Sequence, residues 1–390
     1  MRPSRFLSVG RVLAFAGAAA SALFLCHTPA LASDWPMSRG GPELQGIADM
    51  AAPAEAKLAW TTNVGKPVKA SAAIAGGKVF LGDDIGIIHA LDLGSGKEAW
   101  NFKTEGAIEA TPLVFGSLVY LGSSDSTLYA LETDTGKLKW KYQTGDKILG
   151  GANHAKNPKG DGECILIGSY DSNLHCVDAA TGQVVWTVST ENYINGSPAV
   201  SPTGEVAFGG CDSLVHVIQL SDGKELRQIE TDAYIASSIA LRDGIGYVGN
   251  YGNVVVALDL HTGETKWKAK DREFPYFSSA AVTTDRVVIG GRDKRLHCLD
   301  RATGKPVWTF QTRGQVDSSP VICGDAIVVG SQDGRLYCVN LADGKQRWAY
   351  EIGAAVTGSP AVADGMIVIG AEDGNVFAFG EITTRKAAAK

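Results

Sequence analysis

The stretch LVYLGSSDSTLYALETDTGKLKW, residues 118–140, contains most of one structural unit. Its two apolar, β-rich segments are joined by a Ser/Asp hairpin signal, and an Asp134-Thr135-Gly136 turn precedes the segment that ends at Trp140. The segment ATPLVF, residues 110–115, opens the same unit. Together these segments predict four short antiparallel strands connected by tight turns.

This unit recurs with a period of 40 or 41 residues, except that the third copy carries six extra residues around His154 to Gly162. One glycine ends the second apolar segment of each copy: Gly82, Gly122, Gly168, Gly209, Gly249, Gly290, Gly330 and Gly370. Eighteen residues after this glycine, six of the first seven copies have a tryptophan, whereas the fourth copy has Arg227. Four-stranded units with this period are typical of β-propeller blades.

The eighth copy lacks a C-terminal tryptophan segment, but Trp60 lies 22 residues before Gly82, the same gap that separates Trp100 from Gly122. An N-terminal strand can therefore pair with the last blade and close the ring. We predict an all-β fold, an eight-bladed β-propeller of four-stranded antiparallel blades over residues 58–380, with the last blade closed by this N-terminal strand.

The repeated tryptophans are predicted to dock neighbouring blades, because one large ring can cover a seam while its N–H donates to a backbone carbonyl. They are Trp60, Trp100, Trp140, Trp186, Trp267, Trp308 and Trp348. Arg227 predicts one looser or more polar seam; a functional role for this arginine is the alternative.

The N-terminus has the pattern of a secretory signal. Three arginines lie within the first eleven residues, an almost wholly apolar run spans Val12 to Cys26, and Ala30-Leu31-Ala32 fits a cleavage site. We predict a signal peptide over residues 1–32 and an exported protein in the periplasm or another extracytoplasmic space. A retained membrane anchor is the alternative, and lipid attachment at Cys26 would leave the protein membrane-associated, although Leu25 stands where lipoproteins have a small residue.

Residues 33–57 form an N-terminal extension and residues 381–390 a C-terminal tail in this division of the chain. Removal of residues 1–32 deletes three arginines and no acids, which takes the formal charge from −6 to −9. This acidic balance argues against nucleic-acid binding. No second apolar stretch is long enough to span a bilayer. We expect a monomer.

The cysteines do not follow the spacing of a metal site or of a disulfide framework. Cys176, Cys298 and Cys338 occupy one equivalent repeat position, where other copies have Ala130, Ala257 and Ala378. Small buried core residues are the predicted role, since equivalent positions in different blades are too far apart to bond.

The copies HALDLGSGKEAW, YALETDTGKLKW, HCVDAATGQVVW, VALDLHTGETKW and HCLDRATGKPVW resemble the Trp-docked repeat of pyrroloquinoline-quinone-like propellers. The resemblance covers residues 58–380. The segment Asp34-Trp35-Pro36-Met37-Ser38-Arg39-Gly40-Gly41 also resembles the W-P-x-x-R-G motif that precedes such propellers in exported bacterial proteins.

That superfamily has two branches. The resemblance to quinoprotein alcohol dehydrogenases implies pyrroloquinoline quinone beside calcium, with adjacent disulfide-bonded cysteines and a Glu, Asn and Asp set on the metal. This chain has no adjacent cysteines and only one short insertion. By length and blade number it is more similar to the periplasmic propeller lipoprotein of the outer-membrane β-barrel assembly machine, a resemblance that implies a non-catalytic scaffold without a cofactor.

Binding residues are expected on the face that carries the loops before the inner strands and the hairpins between second and third strands. Aromatic residues and one arginine concentrate there in blades 3 to 6: Tyr170, Tyr193, Tyr234, Tyr251, Phe274, Tyr276, Phe277 and Arg292. Tyr and Arg often carry interface energy, and the set could also stack on a planar ligand or a sugar. Packing of these rings on the blade below is the alternative.

Other polar positions do not form a predicted catalytic centre. The loops before the inner strands also carry Lys69, Glu109, Asn195, Asp317 and Thr357, but Glu109 and Asp317 belong to blades too far apart for one calcium site. Aspartates recur at one hairpin position as turn formers: Asp125, Asp171, Asp212, Asp293, Asp333 and Asp373. His154 and Lys156 are assigned to a solvated loop.

The sequence thus predicts an exported, non-catalytic scaffold that binds an envelope protein or peptide through its channel face, with no metal and no catalytic residues. A quinone-dependent oxidoreductase and a carbohydrate or small-molecule binding module are the alternatives.

Overall fold

The computed structural model describes residues 34–271 and 273–381. The predicted signal peptide, Cys26 and nearly all of the predicted tail lie outside these residues. The described part of the chain contains no helix with the length and apolar character needed to cross a membrane.

A 3-10 turn at Ser38–Gly40 is followed by two short strands, β1 (Ile47–Ala48) and β2 (Leu58–Asn63). Blade 1 contains β3 (Ala73–Ala75), β4 (Lys78–Gly82), β5 (Ile87–Asp92) and β6 (Glu98–Lys103). Blade 2 contains β7 (Leu113–Phe115), β8 (Leu118–Gly122), β9 (Thr127–Glu132) and β10 (Leu138–Gln143). Blade 3 contains β11 (Asn153–Lys156), β12 (Glu163–Gly168), β13 (Asn173–Asp178) and β14 (Val184–Ser189). Blade 4 contains β15 (Ala199–Val200), β16 (Glu205–Gly209), β17 (Leu214–Gln219) and β18 (Glu225–Glu230).

Blade 5 contains β19 (Ala240–Arg242), β20 (Ile245–Gly249), β21 (Val255–Asp259) and β22 (Thr265–Ala269). Blade 6 contains β23 (Ala281–Val282), β24 (Arg286–Gly291), β25 (Arg295–Asp300) and β26 (Pro306–Gln311). Blade 7 contains β27 (Val321–Cys323), β28 (Ala326–Ser331), β29 (Arg335–Asn340) and β30 (Gln346–Glu351). Blade 8 contains β31 (Ala361–Ala363), β32 (Met366–Gly370), β33 (Asn375–Gly380) and the N-terminal strand β2.

The predicted eight-bladed all-β propeller is confirmed, including its closure. Each blade is an antiparallel meander, and β2 pairs antiparallel with β33 through Trp60↔Ala378 and Leu58↔Phe379. First strands of neighbouring blades contact one another, for example β3 with β7 and with β31, so they line the channel. The middle strands are buried almost throughout, whereas the fourth strands alternate between exposed and half-buried residues.

Glycine is required at the end of each second strand because a side chain of the neighbouring blade occupies the space that a Cβ would need. A Cβ on Gly82 would lie 2.1 Å from Ile108 Cγ2, and one on Gly122 would lie 2.2 Å from Ile148 Cγ2. The same close approach recurs in all eight blades, each time to a residue of the loop that precedes the next inner strand. The missing side chain of each strand glycine thus leaves a notch in its blade, and a hydrophobic side chain of the next blade fills that notch.

Tryptophan rings form the second contact between blades. Six of the seven repeated tryptophans donate the indole N–H to a backbone carbonyl in the turn of the next blade, as in Trp60 Nε1 to Leu93 O at 2.8 Å and Trp267 Nε1 to Arg301 O at 2.8 Å. The seventh, Trp348, donates to Pro53 O in the extension at 2.9 Å. The ring also lies on that turn's glycine: a Cβ on Gly304 would come within 2.5 Å of Trp267. The turn glycines have positive φ, +69° at Gly304, so both space and backbone favour glycine there.

The N-terminal extension runs along the inner strands, which the sequence does not predict. Backbone N–H groups of Val114, Val200, Leu241, Val282 and Ile322 donate to its carbonyls at 2.7–2.9 Å. Strand β1 then pairs parallel with β27 and makes the blade 7 sheet five-stranded. The donors lie in the middle or at the ends of the first strands, so the extension runs across the channel wall, beyond the loops that precede these strands.

Two further expectations concern blade 3 and the cysteines. His154 lies in β11 rather than in a solvated loop, and its half-buried ring packs on Phe115 at 4.5 Å between centroids; the loop assignment was wrong because the strand extends into the inserted segment. Cys176, Cys298 and Cys338 are fully buried free thiols. Burial raises the pKa of Cys298 to about 12, so this thiol is neutral.

Candidate functional site

The open end of the channel carries the loops before the first strands and the hairpins between second and third strands. Successive strands of a meander alternate in direction, which brings these two sets of connections to one face. We call this face the rim. Its aromatic part comes from blades 3 to 6.

One part of the rim is a stacked tyrosine pair. Tyr170 and Tyr193 lie with ring centroids 4.7 Å apart and an interplanar angle of 7°. Lys147 Nζ sits 4.3 Å from the Tyr170 centroid. Burial, with smaller contributions from neighbouring acidic groups, raises the pKa of Tyr170 to about 12, so its hydroxyl is a hydrogen-bond donor at neutral pH.

A second part continues from blade 5 to blade 6. Tyr234 contacts Tyr251 edge to face at 6.4 Å, and Tyr251 contacts Phe277 at 4.7 Å. The Arg292 guanidinium lies 3.5 Å from the Phe277 centroid and forms a bidentate pair with Asp317, at 3.0 and 2.9 Å. This pairing fixes the guanidinium over the ring.

Three of these rings are open to solvent: Tyr193, Tyr234 and Tyr251 are 45%, 53% and 44% exposed. Phe274 is also exposed, and no ring contact within the described residues joins it to the others. An exposed cluster of aromatic side chains fixed by mutual stacking can bind an apolar or planar group at a low entropic cost.

Tyr276 differs from the other predicted binding residues because it is buried, with 5% exposure. It occupies the position of Ile194 and Ile235, one residue later in the loop than Tyr193 and Tyr234, and its Cβ fills the notch over Gly249. Its ring packs on His297 at 5.6 Å. Tyr276 therefore packs on the neighbouring blade and is not exposed for binding.

Three of the remaining polar residues of the rim have close partners: Lys69, Thr357 and Asp317. Lys69 binds Asp84 at 2.7 Å, and Thr357 donates to Glu372 at 3.1 Å. Both carboxylate oxygens of Asp317 accept from Arg292, and one also accepts from Gln332 at 2.8 Å. Asp317 is thus held by neighbours within its own part of the rim.

The hairpin aspartates form turns and also bind inward-facing side chains. Asp171 Oδ1 accepts from Asn173 N–H at 3.0 Å, and Asp212 Oδ1 accepts from Leu214 N–H at 3.1 Å. In three blades the same carboxylate contacts a buried histidine four residues on, as His216 Nε2 does with Asp212 at 2.9 Å.

One member of this series has the composition of a metal site. Asp271, Asp293 and His297 bring three ligand atoms within 4.8 Å of one another. His216 has the same environment in blade 4, between Asp212 and Glu225. Because a carboxylate–histidine–carboxylate arrangement also occurs in blade 4, we interpret the blade 6 group as a structural hydrogen-bonding arrangement of the repeat. We assign no metal to it.

Below the rim, the channel contains a polar cavity of about 150 Å³. Its wall is a ring of small residues, one from each blade: Ser71, Thr111, Gly151, Ser197, Ser238, Ser279, Ser319 and Ser359. In five consecutive steps from blade 4 to blade 1, a backbone N–H of one member donates to the next member's Oγ, at 2.8–3.0 Å. Trp35, Ser38 and Arg39 of the extension also line the cavity, and Phe277 connects it to the rim.

Sequence reasoning missed this cavity, although it leaves a signal. Ser71, Ser238, Ser279, Ser319 and Ser359 each lie eleven residues before a strand glycine. A hydroxyl that recurs at the same position of successive repeats is expected where equivalent positions meet at the propeller axis. Arg39 left no such signal, because only the path of the extension places it there.

Comparisons with known proteins agree with this architecture. A family model described as outer membrane protein assembly factor BamB matches residues 46–170, 170–291, 276–333 and 292–387. BamB from Moraxella catarrhalis is 18% identical with a TM-score of 0.70, covering 84% of this chain and 100% of its own. A quinohemoprotein alcohol dehydrogenase from Comamonas testosteroni is 14% identical with a TM-score of 0.78, covering 89% of this chain and 80% of its own.

A computationally designed protein, Ika8, is also similar, with 18% identity, a TM-score of 0.73, and coverage of 84% of this chain and 100% of its own. No curated protein matches the sequence. Because a designed protein and an enzyme share this likeness at such low identity, it establishes the propeller fold and not an activity.

Proposed function

Because this chain belongs to the family of the outer membrane protein assembly factor BamB, we propose that it is an exported, non-catalytic scaffold that binds an envelope protein or peptide through its rim. The observation that carries the proposal is the exposed cluster of Tyr193, Tyr234 and Tyr251 beside the fixed guanidinium of Arg292. The predicted signal peptide supports export.

The cluster has the chemistry of a protein-binding surface. Tyrosine supplies a large contact area with few rotatable bonds, and its hydroxyl forms hydrogen bonds at the edge of an interface. The rings contact one another before any partner binds, so little side-chain freedom remains to be lost on binding. Phe277 contacts Tyr251 of the rim and also lines the channel cavity. The aromatic cluster therefore lies next to the opening of a cavity and not on a flat surface.

The quinone and calcium of the dehydrogenase branch do not fit the residues of this channel. Calcium takes six to eight oxygen ligands, carboxylates among them. Within the described residues the cavity lining has no Asp or Glu; it has hydroxyls, one amide at Asn195 and the positive charge of Arg39. The sequence also lacks the adjacent cysteines of that branch. Titration of the purified protein with quinone and calcium tests this: a spectral change or a thermal shift would restore the oxidoreductase alternative.

Site-specific crosslinking in the native envelope tests the binding proposal. A photo-crosslinking residue at Tyr234 is compared with one at Val184, which is 56% exposed on the fourth strand of blade 3. We expect the Tyr234 position to capture a defined envelope protein and the Val184 position to capture none. Equal capture at the two positions would contradict a binding role for the rim.

A matched set of variants makes the test quantitative. Tyr193→Ala, Tyr234→Ala and Tyr251→Ala are combined in one protein, and Leu138→Ala, Val184→Ala and Val307→Ala, at exposed positions on fourth strands, form the control. Peptides from the crosslinked region should bind the first variant at least tenfold more weakly than wild type, and the control normally. Retained affinity in the first variant would refute the proposal, and binding of a sugar instead of the peptides would favour the carbohydrate module.

A further inference from the structure

Arg39 has an unusual combination of burial, charge and backbone conformation. Arg39 is 5% exposed. Its backbone inside the 3-10 turn has φ +59°, in the left-handed region that non-glycine residues rarely occupy. Such conformations persist where surrounding contacts impose them, and they concentrate at functional sites.

The contacts that hold Arg39 satisfy only one of its three nitrogens. Nη2 donates to Ala280 O at 3.0 Å and to Pro320 O at 2.7 Å. Nε and Nη1 are buried and have no hydrogen-bond partner within the described residues. Gly46 makes room for this placement, because a Cβ there would lie 2.0 Å from Nη2.

The charge of Arg39 also lacks a compensating acid. Within the described part of the chain no carboxylate pairs with it, and the cavity that it lines contains no Asp or Glu. Burial lowers the pKa of Arg39 to about 9, so the guanidinium remains positive at neutral pH. An uncompensated buried charge destabilises the folded protein, and an anion in the same cavity would offset that cost.

The ring of hydroxyls supplies further donors. Ser71, Ser238, Ser279, Ser319 and Ser359 each accept a backbone N–H through Oγ, and their own protons have no acceptor assigned within the described residues. A hydroxyl that accepts on one side can donate on the other. The lining of this cavity of about 150 Å³ therefore includes these hydroxyls and, among the residues that the structure describes, one cation without a carboxylate partner.

We propose that the channel below the rim is a binding site for a small monovalent anion, of the size of bromide, formate or acetate, held by Arg39 and the hydroxyl ring. This site is independent of the proposed partner binding at the rim. It lies between the extension and the blades, so the anion would link the extension to the axis of the propeller.

Saturable stabilisation of the wild-type protein tests the proposal. Thermal unfolding is measured in increasing sodium formate and sodium bromide, with the ionic strength held constant by a bulky disulfonate buffer. A melting temperature that rises and saturates with concentration supports the site, since ligand binding to the native state stabilises it by mass action. A response that is linear in concentration, or absent, overturns the proposal.

A variant and a crystal locate the effect. Arg39→Gln should weaken anion binding at least tenfold, while Arg227→Gln, which changes an arginine of a seam outside the cavity lining, should not. Since Arg39→Gln can also loosen the extension, wild-type crystals grown in bromide give the independent readout: an anomalous peak within hydrogen-bond distance of Arg39 supports the site. A cavity with water alone at saturating bromide would refute it, whatever the variant does.

Discussion

Blades 3 and 4 are consecutive copies of one unit, yet they contact the next blade through different chemistry. In blade 3, Trp186 Nε1 donates to Leu220 O at 2.9 Å and its ring lies on Gly223. In blade 4, Arg227 Nη1 donates to Leu260 O at 3.2 Å. The hydrogen bond to the next turn is retained, whereas the apolar cover of the seam is lost.

The space above the turn glycine differs between the two seams. A Cβ on Gly223 would lie 3.1 Å from the Trp186 ring, but one on Gly263 would meet only Arg227 Cδ at 3.9 Å. Propeller seams thus combine a polar anchor, which an arginine can provide, with an apolar cover, which its narrow stem provides less completely than an indole ring. Substitutions at the ring, at the arginine and at the turn glycines separate the two contributions.

Loss of the ring should have the largest effect. Trp186→Ala is expected to lower the free energy of unfolding by about 3–5 kcal/mol, because it removes both the cover and the hydrogen bond of a buried side chain. Arg227→Ala should cost only about 1 kcal/mol, since the arginine is partly exposed and its ion pair with Glu205 is long, at 4.0 Å. Urea unfolding of both variants checks this; equal losses would mean that the seams are equivalent.

Alanine at the turn glycines should reveal the ring through crowding. Gly223→Ala and Gly263→Ala share the cost of a positive φ, about 1–2 kcal/mol. Gly223→Ala should cost about 1 kcal/mol more, because its Cβ would press on Trp186 and on Val188, at 3.0 Å. Similar free energies of unfolding for the two variants would contradict this account.

Restoring the ring in blade 4 should make its seam resemble the others. Arg227→Trp is expected to raise the free energy of unfolding by about 1 kcal/mol through burial of apolar surface. In that background Gly263→Ala should become about 1 kcal/mol more costly than in wild type. A double-mutant cycle measures this coupling, and additive effects would indicate that the new ring does not reach Gly263.

The histidines of the two blades predict opposite pH dependence. Burial opposes the charge of His216, but Asp212 and Glu225 outweigh it and raise the pKa; burial lowers the pKa of His175, which Asp171 only partly offsets. His216 therefore adds stability at low pH that is lost as pH rises through its raised pKa, whereas the penalty for protonating His175 disappears as pH rises towards about 6.5, its unfolded value.

Urea unfolding between about pH 5 and pH 8.5 tests these signs. Relative to wild type, His216→Gln should be most destabilised at low pH, and His175→Gln should gain relative stability there. The sign of the change across this range, and not its size, distinguishes the two histidines. Slopes of the same sign for the two variants would contradict the assignment.

The repeat pattern predicts the frame well because each blade obeys the same local rules. Fixed offsets between the strand glycine and the tryptophan give the blade number, and the offset of Trp60 gives the closure. The rim is less predictable, since aromatic residues there either face solvent, as Tyr234 does, or fill a notch, as Tyr276 does. A shift of one residue decides between these outcomes, and the sequence does not reveal it without the register of the loop.

The path of the extension could not be predicted, because its hydrogen bonds join it to residues as distant as Ile322. Such contacts follow from the closed ring and have no local pattern. Arg39 and the hydroxyl ring meet only once that path is known.

The closure of blade 8 has a consequence for the order in which this protein reaches its native state. Asn63 pairs with Asn375 across 312 residues, and Pro53 supplies the carbonyl that Trp348 binds, in place of the turn that blade 8 lacks. Neighbouring blades can begin to form as the chain emerges, but the first-made segment must wait for the last. Pairing over so long a separation is slow, so we expect an unclosed ring with a free strand edge to precede the closed propeller.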